Sequence, residues 1–130
     1  MVKFLLIINQ KGIVRLVREF NTRFEDTFFL NNELIYGIYQ QLNNFKNKSR
    51  NYFQIHTAER DITIQYRQYA SLYFIIGTEN NDTKSIEENL ILIHELVKEI
   101  DTNFQMKSCE LDFIYEYDKI NKIVDQMNFI

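Results

Sequence analysis

The spacing of the apolar residues constrains this fold more than any other feature of the sequence. Residues 2–8 alternate between two faces, which is the pattern of a β-strand. The first of these faces carries Val2, Phe4, Leu6 and Ile8. Residues 24–45 instead place apolar side chains every three or four positions, which predicts one face of a helix. Because both periods occur near the start of the chain, the sequence belongs to a mixed class of α and β structure.

Turn-forming residues and further apolar runs indicate the remaining elements. Residues 9–12 predict a hairpin turn, in which Gly12 supplies the positive φ angle that such turns use. The other predicted strands are residues 13–20, 52–57, 62–67 and 69–78, and the later helices are residues 86–104 and 110–127. The order ββαβββαα predicts an α+β fold, with a five-stranded antiparallel sheet, one helix on one face and two helices on the other.

The composition is that of an ordinary globular domain. With 130 residues, of which 45% are hydrophobic and 25% charged, the chain fits a single domain over residues 1–130. The net charge of −3 offers no basic excess for a phosphate backbone, so we expect no nucleic-acid partner. The single cysteine, Cys109, allows no internal disulfide, and the apolar N-terminal run is too short to span a bilayer. We therefore expect a cytosolic protein that reaches membranes only through a partner.

The sequence offers no set of residues suited to catalysis or metal binding. His56 and His94 lie on different predicted elements, and with one cysteine they make a poor set of zinc ligands. We interpret His94 as a partly exposed or hydrogen-bonded side chain and Cys109 as a small core residue. The three glycines are isolated, so the chain has no glycine-rich phosphate-binding loop. We expect a protein that is not an enzyme and that needs no metal or cofactor.

Two of the aromatic residues suggest a binding surface. Most of the 11 Phe and 8 Tyr are expected in the core, because aromatic side chains bury a large area. Tyr69 and Tyr73 are the exceptions, since they flank a predicted buried strand. Small Ala70 and Ser71 lie beside the large Leu72, and this arrangement leaves room for a shallow groove. The hypothesis is that an apolar side chain of another protein docks in this groove.

Three ordered motifs resemble the small (sigma) subunits of the clathrin-adaptor complexes. The first is MVKFLLIINQKG at residues 1–12, followed by Arg15 and Leu16, and it is similar to the opening of those subunits. The second is YRQYASLYF at residues 66–74, which is similar to their Y-R-x-Y-A-x-L-Y-F segment. The third is CELDF at residues 109–113 with the later strings DKI and VDQM, which resembles C-E-L-D-L, D-K-V and D-E-M. Together the motifs run along almost the whole chain.

The resemblance implies the longin fold and a non-enzymatic role in a vesicle coat. Such a subunit belongs to a heterotetramer, packs on the N-terminal part of a large subunit and reaches endosomal, Golgi or plasma membranes through that complex. In several complexes it also supplies the groove for acidic dileucine signals on cargo tails, where an acidic residue lies four positions before a Leu-Leu or Leu-Ile pair. With Ile130 as its last residue, the domain is expected to lack the C-terminal helical extension that is usual in the family.

The resemblance also assigns residues of this sequence to the cargo groove. Arg15 faces the acidic residue of the signal. The leucine pockets are lined by Ala70, Leu72, Val97, Leu111 and Phe113. Lys107 and Ser108 take the positions where the family usually has an amide and an aliphatic residue. An alternative for the same fold is a longin-domain regulator or tethering-complex subunit that binds no cargo.

Overall fold

Strands and helices follow one another along the chain in the predicted order, with one helix more than expected. The computed structural model describes residues 2–20, 30–44, 51–57, 61–79, 86–104, 110–127 and 129. The strands are β1 (Val2–Asn9), β2 (Val14–Glu19), β3 (Tyr52–His56), β4 (Asp61–Tyr69) and β5 (Leu72–Glu79). The helices are α1 (Asn32–Asn44), α2 (Ile86–Phe104), α3 (Glu110–Tyr115) and α4 (Tyr117–Gln126).

The five strands form one sheet in the order β2-β1-β5-β4-β3, and each neighbouring pair is antiparallel. This confirms the predicted five-stranded antiparallel sheet. Within it, β1 and β5 lie side by side, and residues 2–9 and 72–78 are all buried. Both strands are mostly apolar because each is covered on its two faces. Their pairing joins the start of the chain to its middle, so the sheet is held by contacts of long sequence separation.

A hydrophobic cluster lies on each face of the sheet, which confirms the predicted helices on both sides. On the first face, Ile38 and Leu42 of α1 pack with side chains of β1, β4 and β5. The sheet residues there include Phe4, Leu6, Ile8, Ile62, Ile64, Tyr73 and Ile75. On the second face, α2, α3 and α4 cover another set of strand residues. That second cluster includes Val2, Leu5, Ile7, Leu16, Leu72, Phe74, Ile93, Leu96, Val97, Phe113, Ile120 and Val124.

A β-bulge at the start of β1 changes the face on which Val2 lies. Strict alternation predicts Val2 beside Phe4, and this prediction is wrong. Val2 pairs with Thr78 while Phe4 pairs with Gly77, so Lys3 is an additional residue in the ladder. An extra residue reverses the alternation beyond it. Val2 therefore joins the cluster under α2, whereas Phe4 packs on the α1 side.

The beginning of α1 is set by a side-chain cap. The Oδ1 atom of Asn31 accepts a hydrogen bond from the backbone N–H of Leu34 at 2.8 Å, which satisfies one of the unpaired donors at the helix start. The predicted helix began at Phe24, and residues 21–29 lie outside the described residues. Residues 58–60, between β3 and β4, and residues 80–85, between β5 and α2, also lie outside them.

The last predicted helix, residues 110–127, is two helices. Glu116 has φ −117° and ψ 31°, which lies outside the helical range and separates α3 from α4. The inner face of α4 is formed by Ile120, Ile123 and Val124, which are buried. The sequence has no glycine or proline at this point, so no breaking residue marked the division.

Candidate functional site

The candidate cargo groove begins at the turn between β4 and β5. One continuous strand was predicted over residues 69–78, and this is wrong at its start: Tyr69 is the last residue of β4, and Leu72 is the first residue of β5. These two residues face each other across the hairpin, which Ala70 and Ser71 connect. Ala70 has a φ of 54°, in the left-handed region, and it is exposed at the tip of the hairpin. The residue types did not predict this turn, because neither connecting residue is glycine or asparagine.

Three of the predicted leucine-pocket residues come together on the α2 side of the sheet. Leu72 of β5, Val97 of α2 and Phe113 of α3 belong to one hydrophobic cluster, with exposed fractions of 0%, 6% and 2%. The ring of Phe113 packs edge-on against that of Phe74, with 6.0 Å between the ring centroids. Three elements that are distant in sequence therefore contribute to one apolar cluster, in which Leu72 lies immediately beside the β4–β5 turn.

Arg15 lies on β2, two strands away from β5 in the sheet. It is the additional residue of a second bulge, since Leu16 pairs with Ile7 and Val14 pairs with Ile8. Neighbouring strands lie about 4.8 Å apart, so about 10 Å separates the backbones of β2 and β5 across the sheet. Arg15 is half-buried. It is therefore separate from the apolar cluster but lies at the same end of the sheet as the β4–β5 turn.

The remaining predicted groove residues lie in or beside α3. Leu111 belongs to that helix. Lys107 and Ser108 lie outside the described residues, as does Cys109, which was interpreted as a core residue. The structure thus places Leu72, Val97 and Phe113 in one apolar cluster and Ala70 in the turn beside Leu72.

The two tyrosines that suggested a groove lie on opposite faces of the sheet. Tyr73 belongs to the cluster under α1, where burial raises the pKa of its hydroxyl and nearby Tyr39 raises it further. Tyr69 packs against the cluster that holds Leu72. Only Tyr69 therefore borders the candidate groove.

A contact between strand and helix, which the sequence did not reveal, lies at the edge of the groove. The hydroxyl of Tyr69 lies 3.3 Å from Nδ1 of His94 on α2. The Tyr69 ring also packs edge-on against Phe74, with centroids 5.7 Å apart and the ring planes at 86°. His94 is exposed and hydrogen-bonded, as predicted. The sequence did contain a signal for this position: His94 lies three residues before Val97, and residues with this spacing are neighbours on a helix surface.

A chain of buried polar side chains ties α2 to the sheet. Asn89, which is fully buried, donates from Nδ2 to Oε1 of Gln65 at 3.4 Å. Gln65 in turn donates from Nε2 to Oγ1 of Thr78 at 3.2 Å. The sequence of β4 indicated such polar contacts, because polar residues alternate with the apolar residues of this strand. Their inward direction became apparent only once the structure showed that α2 covers them.

A groove of about 390 Å³ runs between α2 and α4, on a different part of the α2 surface. It is lined by Glu95, Lys98, Glu99, Ile123, Gln126 and Met127. Because both acidic and basic side chains line this groove, it favours neither an anionic nor a cationic ligand. Among the described residues there is no group of three or more histidine, cysteine or acidic side chains that could hold a metal ion. None of the described helices combines the length and apolar character that crossing a membrane requires.

The fold and the position of the apolar cluster define a class of protein. An antiparallel five-stranded sheet with helices on both faces is the longin-like architecture of adaptor small subunits. The sequence profile of the family described as clathrin adaptor complex small chain matches residues 1–129. The chain therefore belongs to the clathrin adaptor complex small chain family.

Several characterised relatives align over nearly the whole chain. The AP-2 complex subunit sigma of Saccharomyces cerevisiae is 32% identical over 126 residues, which covers 97% of this chain and 82% of the relative. The AP-3 complex subunit sigma of Dictyostelium discoideum is 30% identical over 132 residues, with coverages of 98% and 73%. The human AP-4 complex subunit sigma-1 is 29% identical over 128 residues, with coverages of 98% and 81%. These relatives are small subunits of heterotetrameric adaptor complexes in vesicle traffic.

Proposed function

We propose that this chain is the small subunit of a heterotetrameric coat adaptor and that it binds acidic dileucine signals on cargo tails. It packs on a large adaptin-like subunit and reaches coated-vesicle membranes peripherally, through the complex. The family match over residues 1–129 supports the place in the complex. The observation that carries the cargo role is the convergence of Leu72, Val97 and Phe113 beside the exposed turn at Ala70.

The separation of charge and apolar cluster suits the spacing of the signal. An extended peptide advances about 3.3 Å per residue, so the acidic residue lies about 13 Å from the first leucine. Arg15 on β2 and Leu72 on β5 are separated by two strand spacings, about 10 Å, and by a further offset along the strands. A single extended peptide is therefore long enough to place its carboxylate at Arg15 and its leucine at the cluster.

The energetics suit a reversible contact. Burying a leucine side chain contributes about 1.5–3 kcal/mol. A guanidinium binds a carboxylate through two parallel hydrogen bonds, which sets the direction of the peptide. Ordering the peptide and the surface side chains offsets much of this gain. The result is weak binding, as expected for a signal that must be released after sorting.

Assembly is tested by recovery of the tagged full-length chain from the cells that produce it. We expect two large adaptin-like chains and one medium chain to be recovered with it. Three apolar side chains are exposed at the junction of α3 and α4, namely Ile114, Tyr115 and Tyr117. In the complex they are either covered by another subunit or form a smaller share of the total surface. Recovery of the chain alone as a stable monomer, or with a tethering complex instead, contradicts the adaptor assignment.

The cargo role is tested at Ala70 and Arg15 in the reconstituted complex. We expect Ala70→Asp to abolish binding of an acidic dileucine peptide, because a carboxylate at the groove mouth opposes both the leucines and the acidic residue. Aspartate tolerates the left-handed backbone at this position, so the turn is kept. We expect Arg15→Glu to weaken binding about tenfold or more, as loss of a charge-assisted hydrogen bond does.

The matched controls are Ala70→Asn and Arg15→Gln, which have nearly the same shapes without the added negative charge. Binding is measured by titration calorimetry, with a peptide that carries serines in place of the leucines as the blank. The neutral variants should bind more tightly than their acidic counterparts while every variant still assembles. Equal binding by all variants, or no binding by the wild type, contradicts the cargo role and leaves the place in the complex untouched.

A further inference from the structure

One hydrogen bond connects β4 to α2 at the edge of the apolar cluster that holds Leu72 and Val97. Tyr69 faces Leu72 across the last pair of the β4–β5 hairpin, so both side chains lie on the α2 side of the sheet. His94 precedes Val97 by three residues and therefore neighbours it on the surface of α2. The contact of 3.3 Å between the Tyr69 hydroxyl and His94 Nδ1 thus joins β4, which pairs with the strand of Leu72, to the helix of Val97.

The apolar cluster is closed in this structure. Leu72, Val97 and Phe113 have almost no exposed surface, so an incoming side chain reaches them only when a residue at the edge of the cluster moves. Within the part of the chain that the structure describes, the partly buried hydrophobic residues packed against this cluster are Tyr69, Leu90 and Met127. Of these, Tyr69 is directly paired with Leu72, and its ring packs on Phe74, which in turn contacts Phe113.

We propose that Tyr69 is a lid over the leucine pocket and that His94 holds this lid closed. The inference rests on the proposed binding of dileucine signals. When cargo binds, the contact between hydroxyl and imidazole breaks, the Tyr69 ring turns outward, and an aliphatic side chain takes its place against Phe74. The closed form binds no cargo, so the apparent affinity is lowered by the fraction of molecules in which the lid is closed. Tyr69 and His94 are therefore positioning residues that set the affinity without contacting the charged end of the signal.

The test in the reconstituted complex is a pair of variants and their combination. Tyr69→Phe keeps the ring and removes the hydroxyl, and His94→Ala removes its partner. We expect each to tighten binding of the acidic dileucine peptide about threefold to fivefold, the effect of losing one hydrogen bond of ordinary strength from the closed form. The double variant should bind no more tightly than either single variant, because both remove the same contact. Tyr52→Phe is the matched control, since Tyr52 is exposed on the next strand and on the same sheet face as Gln65.

A second readout needs no cargo. In a complex whose native Cys109 is replaced by serine, the variant Val97→Cys places a thiol in the pocket, and its rate of modification by a small thiol reagent reports opening. We expect Tyr69→Phe and His94→Ala to raise that rate by the same factor as they raise affinity, and Tyr52→Phe to leave it unchanged.

The outcomes separate the lid from the cargo role. If labelling accelerates but no variant binds the peptide, the lid stands and the proposed ligand is wrong. If the wild type binds the peptide and neither affinity nor labelling changes in the variants, the lid is wrong and the cargo role stands. Weaker peptide binding by Tyr69→Phe also overturns the lid, because the hydroxyl then contacts the cargo.

Discussion

Replacing Gly77 with alanine is expected to destabilise the chain by about 3 kcal/mol or more, the upper range for overpacking a core. Gly77 lies in β5 directly opposite Phe4 of β1, and a Cβ atom there would overlap the Phe4 ring. Phe4 is fully buried between the sheet and α1, so the ring has no free space into which it can turn. The measurement is the midpoint of urea unfolding of the full-length chain.

Gly37→Ala is the matched control for this change. Gly37 lies within α1, and an added Cβ would meet no atom within 4 Å. Alanine is a better helix former than glycine by about 1 kcal/mol, so this variant should be at least as stable as the wild type. A second control is the double variant Phe4→Leu with Gly77→Ala, which should recover part of the loss because the smaller side chain makes room. Equal midpoints for Gly77→Ala and wild type would contradict the close packing of Phe4 on Gly77.

Replacing Val97 with aspartate is expected to destabilise the chain by about 3–5 kcal/mol, the usual cost of an unpaired charge in a core. Val97 is only 6% exposed and packs in the cluster under α2. The measurement is again the urea midpoint, together with recovery of the assembled complex. Glu95→Asp is the control, because it introduces aspartate into the same helix at an exposed position and keeps the charge. Wild-type stability of Val97→Asp would show that this position is open to solvent.

The expected effect at Val97 decides how cargo binding can be dissected. A charge at this position is expected to destabilise the folded chain itself. Loss of peptide binding by Val97→Asp could then result from unfolding and would carry no information about the groove. Ala70 is the better position because it is exposed at the tip of the hairpin and is close in sequence to Leu72. Variants there alter the entrance of the groove and leave its apolar floor intact.

Much of the sheet could be predicted because the hydrophobic period was strong. The alternation in β1 and the continuous apolar run in β5 follow from burial on both faces, and the stripe on α2 follows from its packing on the sheet. The bulge at Lys3 could not be predicted, because a single additional residue leaves the composition of the strand unchanged. The β4–β5 turn was equally hidden, since Ala70 takes a left-handed conformation that its residue type does not favour.

The candidate site was only partly accessible from sequence. The motif around residues 66–74 and the string CELDF directed attention to Leu72 and Phe113, and the structure brings these two side chains into one cluster. The pairing of Tyr69 with His94 was not accessible. It depends on the rotation of α2 about its own axis, and the apolar stripe defines that rotation only approximately.

The buried amides of Asn89 and Gln65 fix the position of α2 along the sheet. Apolar packing alone would tolerate small sliding of a helix along a sheet, whereas the Asn89 amide meets Gln65 at one axial position only. Each residue of sliding moves the helix about 1.5 Å, enough to break that bond and leave two polar groups buried without partners. Asn89 lies eight residues before Val97, about 12 Å along the same rigid helix. The amide therefore fixes the distance between His94 and Tyr69 although Asn89 lies outside the candidate groove. A change at Asn89 is expected to alter this distance, and with it the proposed lid, without replacing any residue of the candidate groove.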